Sequence, residues 1–363
     1  MSHSGAVAIV LGTRPEIIKL AGIIRALGEE ARVIHTGQHY DESMSGQFFA
    51  QLGIGEPDVV LDGIGGTDRG TQIARGIAAL TQEFIARRPA AVIVQGDTNA
   101  VSAGAQAASY LGIPLIHVEA GLRSYDRSMP EETNRLVAGV LADVHCAATE
   151  SNMRNLLAEG VTADRIVLTG NTVVEATLEA LEQQHHQEDE PYELPESFAL
   201  ATIHRPENTD TEQALRRVLE GLHAIDLPVV FPVHPRTAAA ITQFDLQDLT
   251  RGKQLLEPVG HAQFLHLASR AKLLVADSGG IQEECTVLKK PLLVIRRSTE
   301  RPEAIDAGFA TLVPPTASIA DAAAALLKDF EAQHLAATPS PYGDGTASKT
   351  IADLARTYVN TTA

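Results

Sequence analysis

One pattern recurs along the first half of the chain: a short apolar run, a turn, then apolar residues at helical spacing. Ala6–Leu11 runs into Gly12-Thr13-Arg14-Pro15. Ile17, Ile18, Leu20, Ala21, Ile23, Ile24 and Leu27 follow, a wide apolar face that predicts an amphipathic helix. Pro15 suits its first turn, where a missing N–H costs nothing. Further apolar runs at Val33–His35, Ala91–Val94, Leu115–Val118 and Val144–Ala147 are separated by helical stretches. Continuous apolar runs alternating with helices predict parallel strands, because crossover helices cover both faces of a parallel sheet.

The pattern breaks and restarts near the middle. Thr172–Leu181 reads as helix, and the polar, acidic stretch from Gln183 to Pro191 reads as a solvated linker. Its adjacent histidines lack the supporting ligand set of a metal site. Beyond it, apolar runs return at Phe198–Ile203, Pro228–Val233, Lys272–Ala276 and Pro291–Ile295. The expected architecture is α/β, two doubly wound domains, with ligands bound in the cleft between them at the carboxyl ends of the strands.

Composition narrows the function classes. The 363 residues carry 46 acidic against 29 basic side chains, a formal net charge of −17. That excess argues against nucleic acid as a partner, since duplex binding needs a basic face. Cys146 and Cys285 are far apart and read as core residues, outside any disulfide or zinc framework. His261 and His266 lie five apart, not the four of a helical ligand pair, so no metal is expected. No apolar run reaches the ~20 residues of a membrane span. Met1–Leu11 lacks a basic segment before its apolar stretch, so a cytoplasmic protein is expected.

The candidate chemistry sits at strand ends. Asp277-Ser278-Gly279-Gly280-Ile281-Gln282-Glu283-Glu284 follows an apolar run. Its glycines admit a ligand to the backbone, and a helix N-terminus offers free N–H groups to an anion. Ser278 adds a hydroxyl, and Glu284 lies one turn in, in reach of a sugar hydroxyl. Gly12-Thr13-Arg14-Pro15-Glu16 with Lys19 resembles a second phosphate cradle, although it is neither a P-loop nor a dinucleotide fingerprint. Three acids end or follow neighbouring runs: Asp97, Glu119 and Glu131. Asp97 reads equally as a helix cap and Glu131 as a first-turn acid. Glu119 ends an apolar strand, where a carboxylate is costly unless paired. His204-Arg205-Pro206-Glu207-Asn208 and His234-Pro235-Arg236 place cations at two further strand ends.

Taken with His117-Val118-Glu119-Ala120-Gly121-Leu122-Arg123, Met129-Pro130-Glu131-Glu132-Thr133-Asn134-Arg135, Thr299-Glu300-Arg301-Pro302-Glu303 and Pro341-Tyr342-Gly343-Asp344-Gly345, these motifs closely resemble the non-hydrolysing UDP-N-acetylglucosamine 2-epimerases. The resemblance runs in family order from residue 6 to about 348. It implies a GT-B fold of two Rossmann-like domains, residues 1–171 and 172–348, the second binding UDP. A last helix, within 349–363, is expected to return to the first domain. It also implies a homodimer and no cofactor. By resemblance, Asp97, Glu119, Glu131 and His204 are catalytic. Arg14, Lys19, His204, Ser278, Gly279, Gly280, Glu284 and Arg301 hold UDP or support its departure, and Phe264 lies near the uracil. The implied reaction is reversible C2 epimerisation of UDP-GlcNAc to UDP-ManNAc through elimination of UDP to a 2-acetamidoglucal. A modified UDP-N-acetylhexosamine as substrate, or a hydrolysing relative releasing ManNAc and UDP, stays open. Two positions depart from the family pattern. Gln38-His39-Tyr40-Asp41 stands where many bacterial relatives carry Gln-His-Arg beside an allosteric site, and Ala100 stands where a hydroxyl residue is usual.

Overall fold

The computed structural model describes residues 6–38, 48–185, 192–329, 335 and 337–361. His39-Tyr40-Asp41 and residues 186–191 of the expected linker lie outside the described residues. The chain divides into two compact units, residues 1–176 with 342–363, and residues 177–341.

The N-terminal unit is built on strands β1 (Val7–Leu11), β2 (Ala31–His35), β3 (Val59–Val60), β4 (Ala91–Gln95), β5 (Leu115–Ala120), β6 (Val144–Ala147) and β7 (Ile166–Leu168). They form one sheet in the order β3-β2-β1-β4-β5-β6-β7, every pair parallel. The helices are α1 (Arg14–Leu27), α2 (Arg69–Ala86), α3 (Asn99–Tyr110), α4 (Pro130–Leu141) and α5 (Glu150–Ala158), and α6 (Val173–His185) carries the chain from this unit into the next. β1 is buried along its whole length, as its uninterrupted apolar run requires. The predicted helical face of α1 packs on it through Ile17, Leu20, Ile23, Ile24 and Leu27.

The second unit repeats the plan with β8 (Ala199–Thr202), β9 (Val229–Pro232), β10 (Gln254–Leu256), β11 (Leu273–Ala276), β12 (Leu292–Val294) and β13 (Ala310–Leu312). Their order is β10-β9-β8-β11-β12-β13, again parallel. Its helices are α7 (Pro206–Thr209), α8 (Glu212–His223), α9 (Pro235–Gln243), α10 (His261–Arg270), α11 (Gly280–Leu288), α12 (Pro302–Asp306) and α13 (Ile319–Asp329). α8 buries Leu215, Val218, Leu219 and Leu222, spaced three and four apart on one stripe.

The chain then returns. Helix α14 (Ala347–Thr361) packs against α1, and its Ile351, Ala352, Ala355 and Val359 complete the core of the N-terminal unit. In both sheets the strand order reverses once, between β1 and β4 and between β8 and β11. At such a switch point the adjoining connections run to opposite faces, opening a crevice outside the carboxyl ends of the strands. The turns after these four strands are Gly12–Thr13, Gly96–Thr98, Ile203–Arg205 and Asp277–Gly279, the segments the sequence had singled out. Among the described residues, no helix is long and apolar enough to cross a membrane.

Candidate active site

Glu119 is the most constrained of the acids. It sits in β5 with φ +61°, and the register of β5 on β6 shifts between Val118 and Ala120. This bulge takes a non-glycine residue into the left-handed region, at a cost of roughly 1–3 kcal/mol, and such bulges re-aim a side chain. The carboxylate is 8% exposed and its Oε2 accepts from Lys19 Nζ at 2.7 Å. Gln95 Nε2, at the end of β4, donates to the same oxygen. The buried acid is therefore paired, as its place in an apolar strand requires. Lys19, from the first cradle, thus reaches the Glu119 carboxylate.

Asp97 lies in the turn after β4. Its Oδ2 accepts from Arg135 Nε at 2.9 Å and Nη2 at 2.6 Å, and its backbone carbonyl accepts from Asn134 Nδ2 at 2.9 Å. Thr98, not Asp97, caps α3, its hydroxyl accepting from the Val101 amide. Arg135 also donates to Glu132 Oε2 at 2.9 Å, and Glu132 accepts from the amides of Ser124 and Tyr125. Through α4, then, the loop after β5 and the Asp97 turn hang on one arginine. Burial raises the Glu132 carboxyl, and the hydrogen bonds from Ser124, Arg135 and Tyr125 outweigh it, leaving the group below its ordinary value. Glu131, one residue earlier, keeps its side chain 42% exposed, 3.7 Å from Arg69 Nη2.

His117 supports the same turn. Its Nε2 stands 2.8 Å from the carbonyl of Gly96. Burial pushes the imidazole down to about 4, so it is neutral near pH 7, and the carbonyl acceptor fixes the proton on Nε2. Arg14, exposed at the start of α1, lies with its guanidinium 4.6 Å from the centroid of the Phe48 ring.

In the second unit Asp277 is the organiser. It is fully buried, and its carboxylate accepts from the amides of His204 (3.0 Å) and Arg205 (2.8 Å) and from Asn208 Nδ2 (2.9 Å). These bonds tie the turn after β8 to the end of β11. His204 Nδ1 is 3.3 Å from Asp277 Oδ1, and its ring lies 5.3 Å from that of His234. Burial lowers its basicity against the pull of Asp277, and the neighbouring His234 adds to the fall.

Ser278-Gly279-Gly280 lead into α11, with Gly279 at the cap. A Cβ on Gly279 would stand 2.9 Å from Arg301 Nη1, so glycine here makes room for a guanidinium. Arg301 donates to Glu283 at 2.8 Å and to Glu300 at 2.5 Å. Glu284 Oε1 is 2.7 Å from His261 Nε2. His261 opens α10, which also carries Phe264, three residues on and so on the same helical face.

The structure thus gathers Asp97, Glu119, Lys19 and Arg14 at the switch point of one sheet. His204, Ser278, Gly279, Gly280, Glu284, Phe264 and Arg301 gather in the other unit. Sequence reasoning gave no role to Glu16, Gln95, His117, Arg135, His261 or Asp277. Asp277 had a signal, an acid closing an apolar strand as Glu119 does; Gln95 and Arg135 looked like ordinary polar residues. Among the described residues, no group of three or more His, Cys, Asp or Glu is placed to hold a metal ion.

Comparison with known proteins agrees over most of the chain. The family model for UDP-N-acetylglucosamine 2-epimerase matches residues 24–356. A UDP-N-acetylglucosamine 2-epimerase of Methanocaldococcus jannaschii is 41% identical over 84% of this chain and 87% of that protein. A UDP-2,3-diacetamido-2,3-dideoxy-D-glucuronate 2-epimerase of Pseudomonas aeruginosa is 37% identical, with 84% and 87% covered. The crystal structure of the M. jannaschii UDP-GlcNAc 2-epimerase in complex with UDP-GlcNAc and UDP superimposes with a TM-score of 0.85 at 37% identity, covering 97% of this chain and 99% of that one. The two parallel-sheet units are therefore Rossmann-like units of the GT-B class. Motifs, fold and matched length agree, and the chain belongs to the UDP-N-acetylglucosamine 2-epimerase family.

Proposed function

We propose that this protein interconverts UDP-GlcNAc and UDP-ManNAc at C2. The observation that carries the proposal is the likeness, over nearly the whole chain, to an enzyme crystallised with UDP-GlcNAc and UDP. The chemistry explains the residues. The C2 hydrogen of an N-acetylhexosamine has no adjacent carbonyl to acidify it, so simple deprotonation is not a route. Loss of that proton together with cleavage of the C1–O bond to UDP gives 2-acetamidoglucal. UDP then returns to C1 as C2 takes a proton on the opposite face. Asp97, Glu119 and Glu131 share the proton work, each with a cation beside it, Arg135, Lys19 and Arg69 in turn. The C-terminal unit is the UDP-binding domain. Ser278, Gly279, Gly280 and Arg301 receive the diphosphate, Glu284 a ribose hydroxyl, and Phe264 the uracil, while His204, Arg14 and Lys19 support the departing charge.

The test is incubation with UDP-GlcNAc in D₂O followed by NMR. Deuterium at C2, the manno epimer and no net UDP release are expected; absence of exchange refutes the assignment for this sugar. UDP-2,3-diacetamido-2,3-dideoxy-D-glucuronate is the second substrate to try, because the P. aeruginosa relative bearing that name matches as much of the chain.

A homodimer is part of the same proposal. Helices α2, α3 and α4 pack in sequence side by side, and Ile85, Tyr110 and Val140 near their C-terminal ends are 61%, 76% and 79% exposed. Large apolar side chains on neighbouring helices form a surface suited to a second copy. Light scattering should give twice the chain mass, and Val140→Glu should shift it toward one chain. A wild-type protein of single-chain mass would refute the dimer.

A further inference from the structure

Glu16 takes no part in the scheme above, yet it joins two of its elements. A first-turn acid normally faces water and serves the helix dipole. This one is 1% exposed. Its Oε2 accepts from the Gly12 amide at 3.0 Å and the Thr13 hydroxyl at 2.8 Å. Its Oε1 accepts from the Thr98 hydroxyl at 2.8 Å. Thr13 precedes Arg14, and Thr98 follows Asp97 and caps α3. One carboxylate therefore spans the turns after β1 and β4, the two strands that flank the switch point.

We propose that Glu16 is a positioning residue that locks the Asp97 turn to the Arg14 turn through Thr98, holding acid and cation in one register. This rests on Asp97 being a proton-transfer group. Burial pushes the Glu16 carboxyl up to about 7, against the hydrogen bonds from Thr98, Thr13 and Gly12, and the Asp97 charge adds to the rise. Asp97 is the charged neighbour; Gly12, Thr13 and Thr98 present uncharged donors. As a carboxylate Glu16 accepts three hydrogen bonds. Protonated, it can donate from Oε1 while the Thr98 hydroxyl turns to accept, so the link survives protonation. With the carboxyl raised above its ordinary value, the folded protein loses stability as pH rises toward and through about 7, and that loss fades toward pH 5.

The test combines turnover of UDP-GlcNAc with thermal melting for Glu16→Gln, Glu16→Ala, Thr98→Val and Glu16→Ala/Thr98→Val. Displacing a catalytic group by about an ångström costs up to ~100-fold, so Glu16→Ala and Thr98→Val should each lower kcat by about 10–100-fold. The double variant should be no worse than the poorer single one, since both break one link. Glu16→Gln keeps an acceptor for Gly12 and Thr13 and a donor for Thr98. It should stay within about threefold of wild type at pH 8, while Glu16→Ala does not. Its Tm should exceed that of wild type at pH 8, the gap closing toward pH 5. Losses that multiply in the double variant, or Glu16→Gln as poor as Glu16→Ala, would each overturn the proposal. If Glu16→Ala does not fold, Glu16→Met, which keeps the volume and removes both oxygen acceptors, and its double variant with Thr98→Val replace it. A wild type inactive on UDP-GlcNAc and on the diacetamido sugar refutes the proposed function alone. The cycle is then read in Tm, where the same non-additivity is expected.

Discussion

Glu119→Gln should lower kcat by about 10²–10⁴-fold, the range for removing a positioned acid or base. The amide keeps the size of the side chain and can still meet Gln95, but it can neither take nor return a proton at C2. The change also leaves Lys19 facing an amide across 2.7 Å in a buried site. Removing one partner of a buried ion pair costs on the order of 3–5 kcal/mol, so loss of activity and loss of stability would come together. A second variant separates them. Glu119→Gln with Lys19→Met removes both charges and should recover much of the Tm, while turnover stays low. NMR detection of deuterium at C2 gives the activity and a melting scan the stability. Near-normal exchange in Glu119→Gln would remove Glu119 from the proton work.

Asp277→Ala should be the most damaging change in the second unit. Three donors, the His204 and Arg205 amides and Asn208 Nδ2, lose their acceptor inside a fully buried site. Each orphaned donor costs ~1–3 kcal/mol, less when neighbours relax together, so a loss of about 3 kcal/mol or more in unfolding free energy is expected. The turn carrying His204 would lose its tether to the strand that leads into Ser278, and UDP affinity by calorimetry should fall at least tenfold. Asp277→Asn should be milder. One oxygen of the amide can still take the donors that converge on Oδ2, and its NH₂ group can face His204 Nδ1, which is then free to accept. If Asp277→Ala binds UDP as wild type does, the two turns are held independently.

The central strands of both sheets were legible because each is an uninterrupted apolar run. The edge strands were not. β3 spans Val59–Val60, and β7, β10 and β13 are three residues each, too short for a periodic signal. At the site, Glu119 stood out as an acid within an apolar strand, and the glycines of Ser278-Gly279-Gly280 marked a close approach. The partners did not. Nothing local in Gln95 or Arg135 distinguishes a polar residue that meets Glu119 or Asp97 across 24 or 38 positions from one that meets water. Glu16 was masked by a rule that usually holds: acids in first helical turns face solvent. Here the Thr98 hydroxyl, 82 positions away, gives it a buried partner.

Helix α14 has a consequence for the order in which the molecule forms. Its Ile351, Ala352, Ala355 and Val359 belong to the core that β1 and α1 begin, yet residues 177–341 are synthesised in between. Closing that core brings together segments more than three hundred positions apart, the slow kind of contact in a folding chain. The second unit, whose sheet and helices lie within one continuous segment, can finish on the ribosome while the first still lacks a wall. The core beneath the turns bearing Arg14 and Asp97 is therefore complete only once α14 has docked. The first segment to be made waits for the last helix to be made before its core is closed.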